Sequence, residues 1–142
     1  MPWPSSRRLS CRCRWNFAVA HPVALRPRRG APQPRLGEIS DGCILNTGDQ
    51  NPGVRRVIQQ HASAWRRLGV PVIVHLAADT PPREERAGSP QAVARTARAL
   101  ATTGAVAGLE VGLPNDVFPA QAADLVAAAC ESELPVLARV PL

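Results

Sequence analysis

Three ionisable side chains stand inside or at the end of apolar runs, where a chemical role and a packing role compete. His75 follows Val70-Pro71-Val72-Ile73-Val74, Arg139 follows Pro135-Val136-Leu137-Ala138, and Glu110 interrupts Ala107–Leu113. An imidazole in that position can face a ligand or turn into packing; metal ligation is not expected of it. Arg139 and Glu110 on neighbouring strands could form an ion pair along the sheet. Asn46 could serve only to cap the turn ahead of a helix. His61, on a helix, reads as a surface or boundary residue. The cysteines offer less. Cys11-x-Cys13 is too tight for the two-residue zinc knuckle, and no second pair follows to complete four ligands. Cys130 falls near a helix end and is expected to be a small buried apolar residue. Nothing suggests a disulfide framework, so a reducing, cytoplasmic setting is the default.

The elements that would position these residues follow one grammar. Val70–Leu76 is an apolar run without polar alternation, as in a strand buried on both faces, and it returns at Ala107–Leu113 and Pro135–Val140. Between the runs lie helical periods. Asn51 is a suitable N-cap with Pro52 at the first helical position, and Val54, Val57, Ile58, Ala62, Trp65 and Leu68 then form one stripe ended by Gly69. Ser89-Pro90 opens the next helix, with Val93, Ala94, Ala97, Leu100 and Ala101 inward, to Gly104. Pro119 opens the third, with Ala122, Leu125, Val126 and Ala129 inward. Leu36–Asn46 reads as a short hairpin or irregular loop, and Thr80–Ala87 as a solvated loop. Parallel strands joined by helical crossovers are the natural result. The fold class is therefore α/β. Periodicity alone does not separate a slice of a (β/α)8 barrel from an open doubly wound sheet.

Charge divides the chain. All 17 basic residues are arginine, and eight of them precede the first acid, Glu38. Residues 38–142 hold nine arginines and eleven acids, a net of −2. The formal +6 thus describes an N-terminal segment, not the folded part, and a basic face for nucleic acid is not expected. No run reaches the roughly 18 apolar residues of a membrane span. Arg7-Arg8 ahead of Trp15–Leu25 makes a poor export signal, broken by His21-Pro22 and lacking a small-residue cleavage site. Residues 1–22 read as a disordered or non-native basic tail, and 23–142 as the domain. His21–Leu25 could already be the end of a strand.

Four stretches carry a family resemblance. From Ala24-Leu25-Arg26-Pro27 onward, then at Leu45-Asn46-Thr47-Gly48-Asp49-Gln50-Asn51-Pro52-Gly53, Leu68-Gly69-Val70-Pro71-Val72-Ile73-Val74-His75 and Leu134-Pro135-Val136-Leu137-Ala138-Arg139-Val140, the chain resembles the dihydroorotate dehydrogenases. These are FMN-dependent (β/α)8-barrel enzymes of pyrimidine biosynthesis. The second and third stretches are similar to the family's L-N-A-I-G-L-Q-N-P-G and L-G-x-P-V-I-V-N. The resemblance implies a partial TIM barrel, an FMN cofactor and dihydroorotate as small-molecule substrate. It implies substrate contacts at Asn46, Thr47 and Gly48, and cofactor contacts at His75, Gly112, Asn115 and Arg139. It assigns no catalytic residue: of the family's N-I-S-C-P-N only Pro114-Asn115 survives, and no Ser or Cys occurs between 104 and 129. The resemblance also stops before the family's later strands, so the expectation is a fragment that neither holds FMN tightly nor oxidises dihydroorotate alone. The alternative is a non-catalytic α/β module, or a degraded reading frame, needing a partner to complete its sheet. Pairing with another copy would bury an open edge.

Overall fold

A computed structural model describes residues 17–46, 50–78, 89–114 and 116–140. The elements run β1 (Ala18–Val23), β2 (Leu36–Ile39), β3 (Gly42–Leu45), α1 (Val54–Arg66), β4 (Val72–Ala77), α2 (Pro90–Ala101), β5 (Gly108–Gly112), α3 (Pro119–Cys130) and β6 (Val136–Arg139). β1, β4, β5 and β6 form a parallel sheet in that order, and β2–β3 is a separate antiparallel hairpin. The three expected strands and three expected helices are all present.

The strand order adds what periodicity could not. Each strand of the parallel sheet joins beside its predecessor, on the same side, with no reversal. A doubly wound sheet reverses order at its switch point, whereas a barrel does not. Side by side on the sheet, α2 packs against both α1 and α3. The architecture is that of a slice of a (β/α)8 barrel.

Alternation along the strands then assigns two faces. Val72, Val74 and Leu76 of β4, Leu109 and Val111 of β5 and Val23 of β1 join Val54, Val57, Val93, Ala97, Leu100, Leu125 and Ala129 of the helices in one core. Val74, Leu100, Leu109 and Val111 are fully buried. Each such side chain contributes about 1.5–3 kcal/mol relative to exposure. The opposite, concave face carries Ile73, His75 and Ala77 of β4 beside Gly108, Glu110 and Gly112 of β5. Leu137 and Arg139 of β6 continue these rows.

Four local expectations are corrected. The strand expected from His21 begins at Ala18, so Ala18–Pro22 belongs to the sheet and not to a disordered tail. Its alternation is too weak to show a strand; the hydrogen bonds come from β4, through Ala18↔Val72 and Val19↔Ile73. Residues 1–16 of that tail lie outside the described residues, as does the Thr80–Ala87 loop. The first helix is capped at Gly53, not Asn51. Gly53 has φ 81° and ψ 154°, and a Cβ there would lie 2.8 Å from the Pro27 nitrogen, so only glycine fits. Asn51 instead accepts at Oδ1 from the N–H groups of Gly53 (3.0 Å) and Ala24 (3.4 Å), tying the helix start to the end of β1. Leu68, expected in the apolar stripe, is exposed, because α1 ends at Arg66 and the chain leaves the helical path before left-handed Gly69. Cys130, expected buried, is exposed at the last position of α3, beyond the inward Ala128 and Ala129.

Ser89 does cap α2, its hydroxyl accepting from the Ala92 N–H at 3.3 Å, with Pro90 at the first helical position.

Candidate functional site

The register of three parallel strands brings together side chains that are far apart in sequence. His75 stands opposite Glu110 on β5, and Gly112 stands opposite Arg139 on β6. All four lie on the concave face, toward the C-terminal ends of their strands. The His75 Nδ1 lies 2.8 Å from Glu110 Oε1, and the same oxygen forms an ion pair with Arg139 Nε at 3.5 Å. The expected Glu110–Arg139 contact is therefore present. His75 as a second partner was not foreseen, since nothing in the sequence prints the β4–β5 register.

Burial differs across the cluster. His75 is buried, Glu110 is about one-fifth exposed and Arg139 is 67 % exposed at its side chain. The carboxylate thus sits between a sheltered imidazole and a guanidinium reaching into solvent. Gly112 explains how the ring fits. A Cβ at that position would meet His75 Cε1 at 2.6 Å, His75 Nε2 at 2.9 Å and an Arg139 guanidinium nitrogen at 3.2 Å. The imidazole edge and the guanidinium converge over a residue with no side chain.

Among the other residues singled out in the sequence, Asn46 is exposed just after β3, its backbone N–H donating to the Arg35 carbonyl at 2.8 Å. That hairpin is not hydrogen-bonded to the parallel sheet, and no described contact joins Asn46 to His75, Glu110 or Arg139. Thr47, Gly48 and Asn115 lie outside the described residues. His61 is exposed and stacks on Trp65 at a ring separation of 5.9 Å. Among the described residues, no group of three or more His, Cys, Asp or Glu could hold a metal ion. No described helix is long and apolar enough to cross a membrane.

A barrel-type parallel sheet with polar side chains gathered at its C-terminal ends is the arrangement on which (β/α)8 enzymes build their sites. The curated proteins that this chain resembles are dihydroorotate dehydrogenases. The catalytic subunit of dihydroorotate dehydrogenase B (NAD(+)) from Endomicrobium trichonymphae is 42% identical over 64 residues, 45% of this chain and 21% of that protein. The corresponding subunit from Desulforudis audaxviator is 42% identical over 62 residues, 44% of this chain and 20% of that one. A putative dihydroorotate dehydrogenase A (fumarate) from Aeropyrum pernix is 35% identical over 66 residues, 46% of this chain and 22% of that one. The matched stretch spans about a fifth of the length of these relatives. No family model matches the chain.

Proposed function

We propose that this chain forms part of a dihydroorotate dehydrogenase-type flavoprotein, taking dihydroorotate toward orotate with FMN as hydride acceptor. The observation that carries the reading is the row His75–Glu110–Arg139, at the C-terminal ends of parallel strands in barrel order, in a chain whose curated relatives are dihydroorotate dehydrogenases. The residues fit a flavin. An isoalloxazine ring is flat and electron-rich along one edge; an exposed guanidinium at Arg139 suits that edge, and side-chain-free Gly112 suits close approach. His75 completes the cofactor side of the reading, together with Asn115. Asn46, Thr47 and Gly48 are assigned to the substrate, whose ring amides call for paired donors and acceptors.

The chain's own residues then have separable tasks. Glu110 fixes the imidazole and neutralises part of the Arg139 charge. Arg139, with Glu110 bound to its Nε, keeps its remaining donors for a ligand. The sheet supplies rigid backing, because Val74, Leu109 and Val111 on its other face are fully buried.

A closed barrel has about eight strands, whereas the parallel sheet of the described residues has four, with β1 and β6 at its edges. We assign tight FMN retention to a closed state, reached when further strands pair with those edges. Titrating FMN into the purified chain, with flavin fluorescence as the readout, tests the reading. Weak binding abolished by Arg139→Glu is expected. Binding indifferent to that charge reversal would count against the site.

A further inference from the structure

We propose that His75 is the proton acceptor of this site, and that Glu110 is the positioning residue that leaves its Nε2 free to act. An ionised carboxylate only accepts hydrogen bonds, so the 2.8 Å contact with Glu110 Oε1 places a proton on His75 Nδ1. In the neutral imidazole the lone pair then resides on Nε2. That atom takes no hydrogen bond from any described residue and is not sealed from solvent. Two neighbours shape the arrangement. Arg139 Nε forms an exposed ion pair with the same Glu110 oxygen at 3.5 Å, and Gly112 leaves room for the Cε1–Nε2 edge, which any Cβ would displace.

Elimination among the neighbours points the same way. The Arg139 guanidinium has N–H donors and no acceptor. The sequence from 104 to 129 contains neither Ser nor Cys. The Glu110 oxygen facing His75 is already engaged by that ring and by an ion pair with Arg139. In the row, His75 Nε2 and the second Glu110 oxygen are the acceptors with no described partner, and Nε2 is the one beside side-chain-free Gly112.

The proton chemistry balances without an oxidant. Nε2 takes a proton from a ring carbon next to a carbonyl, the C–H pair moves into the enolate, and the new imidazolium is stabilised by the Glu110 carboxylate. Returning a solvent proton to the same carbon completes the cycle. In a full dehydrogenation the adjacent carbon also gives a hydride to the flavin. The inference rests on the dehydrogenase reading only for the choice of dihydroorotate as probe.

Two measurements on the full chain test it. In a His21→Asn/His61→Asn variant, which removes the two exposed histidines and leaves His75 alone, nitrogen-15 NMR reads the tautomer directly. Protonated Nδ1 with bare Nε2 is expected, with loss of that preference in Glu110→Gln. A proton on Nε2 overturns the proposal. Second, the chain should exchange the ring methylene protons of dihydroorotate for deuterium in heavy water. His75→Gln should lower the second-order exchange rate about 100-fold or more, with circular dichroism confirming the fold. Exchange equal in the wild type and His75→Gln overturns the base assignment. Exchange lost in His75→Gln, with FMN binding indifferent to Arg139→Glu, refutes the dehydrogenase reading and leaves the base in place. FMN binding abolished by Arg139→Glu, with exchange undiminished in His75→Gln, does the reverse.

Discussion

Gly112→Ala tests the packing of the His75 row with a single methyl group. The new Cβ would sit 2.6 Å from His75 Cε1, whereas ordinary contact begins at 3.4 Å, so the ring must retreat by about 0.8 Å. If that retreat is taken along the Nδ1···Oε1 direction, the 2.8 Å bond to Glu110 lengthens to about 3.6 Å and ceases to be a hydrogen bond. Hydrogen bonds to charged groups contribute roughly 1.5–3 kcal/mol, and the partial exposure of Glu110 argues for the lower end. The expected loss is about 1.5 kcal/mol, which lowers the Tm by roughly 3–8 °C in a domain of this size. Arg139, mostly in solvent, gives way cheaply and adds little. Urea and thermal denaturation followed by circular dichroism supply the measurement, with Gly37→Ala as control. A Cβ at Gly37 comes no nearer than 4.0 Å to its neighbours, so that change should stay within about 0.5 kcal/mol. In a Glu110→Gln background the Gly112→Ala penalty should shrink, because the bond it breaks is already weakened. Wild-type stability in Gly112→Ala, with unshifted His75 ring signals, would refute the reasoning.

Other substitutions probe the scaffold beneath the row. Gly53→Ala meets Pro27 backbone at 2.8 Å and a left-handed φ of 81° at once, and should cost about 3 kcal/mol or more in urea denaturation. Asn51→Ala removes the acceptor of two N–H groups where β1 hands over to α1, and should cost about 1–3 kcal/mol by the same measurement. Leu100→Ala opens a cavity under a fully buried side chain, for an expected 2–5 kcal/mol. Thr96→Val, which replaces a hydroxyl bonded only within its own helix, should stay within about 1 kcal/mol and mark the floor of the series.

The fold was legible wherever local chemistry decides it. The apolar runs at 70–76, 107–113 and 135–140 and the Ser89-Pro90 and Pro119 helix starts each carry their signal within a few residues. β1 was only half legible because Ala18–Val23 is a strand by virtue of its neighbour, and Pro22 within it argues locally against one. The cap falls at Gly53 and not at Asn51, and the close approach of Pro27 there is a contact between distant residues that local sequence does not carry. For the candidate site, the sequence offers the residue types and not their pairing. His75 and Glu110 are 35 positions apart, and the register that makes them partners emerges only when β4 and β5 lie side by side. Barrel order was hidden from periodicity for the same reason, because it is a property of which strand lies beside which; the family resemblance pointed to it, and the observed order bears it out.

The proposed function places flavin and substrate on the concave row at the C-terminal strand ends, and not on the helical face. Amide chemical-shift mapping on the nitrogen-15-labelled chain, titrated with FMN and then dihydroorotate, tests it most directly. Shifts concentrated at Ala77, Glu110, Gly112 and Arg139 are expected, with the His75 ring responding to dihydroorotate. Shifts confined to α1, α2 and α3, or none at millimolar ligand, would contradict it.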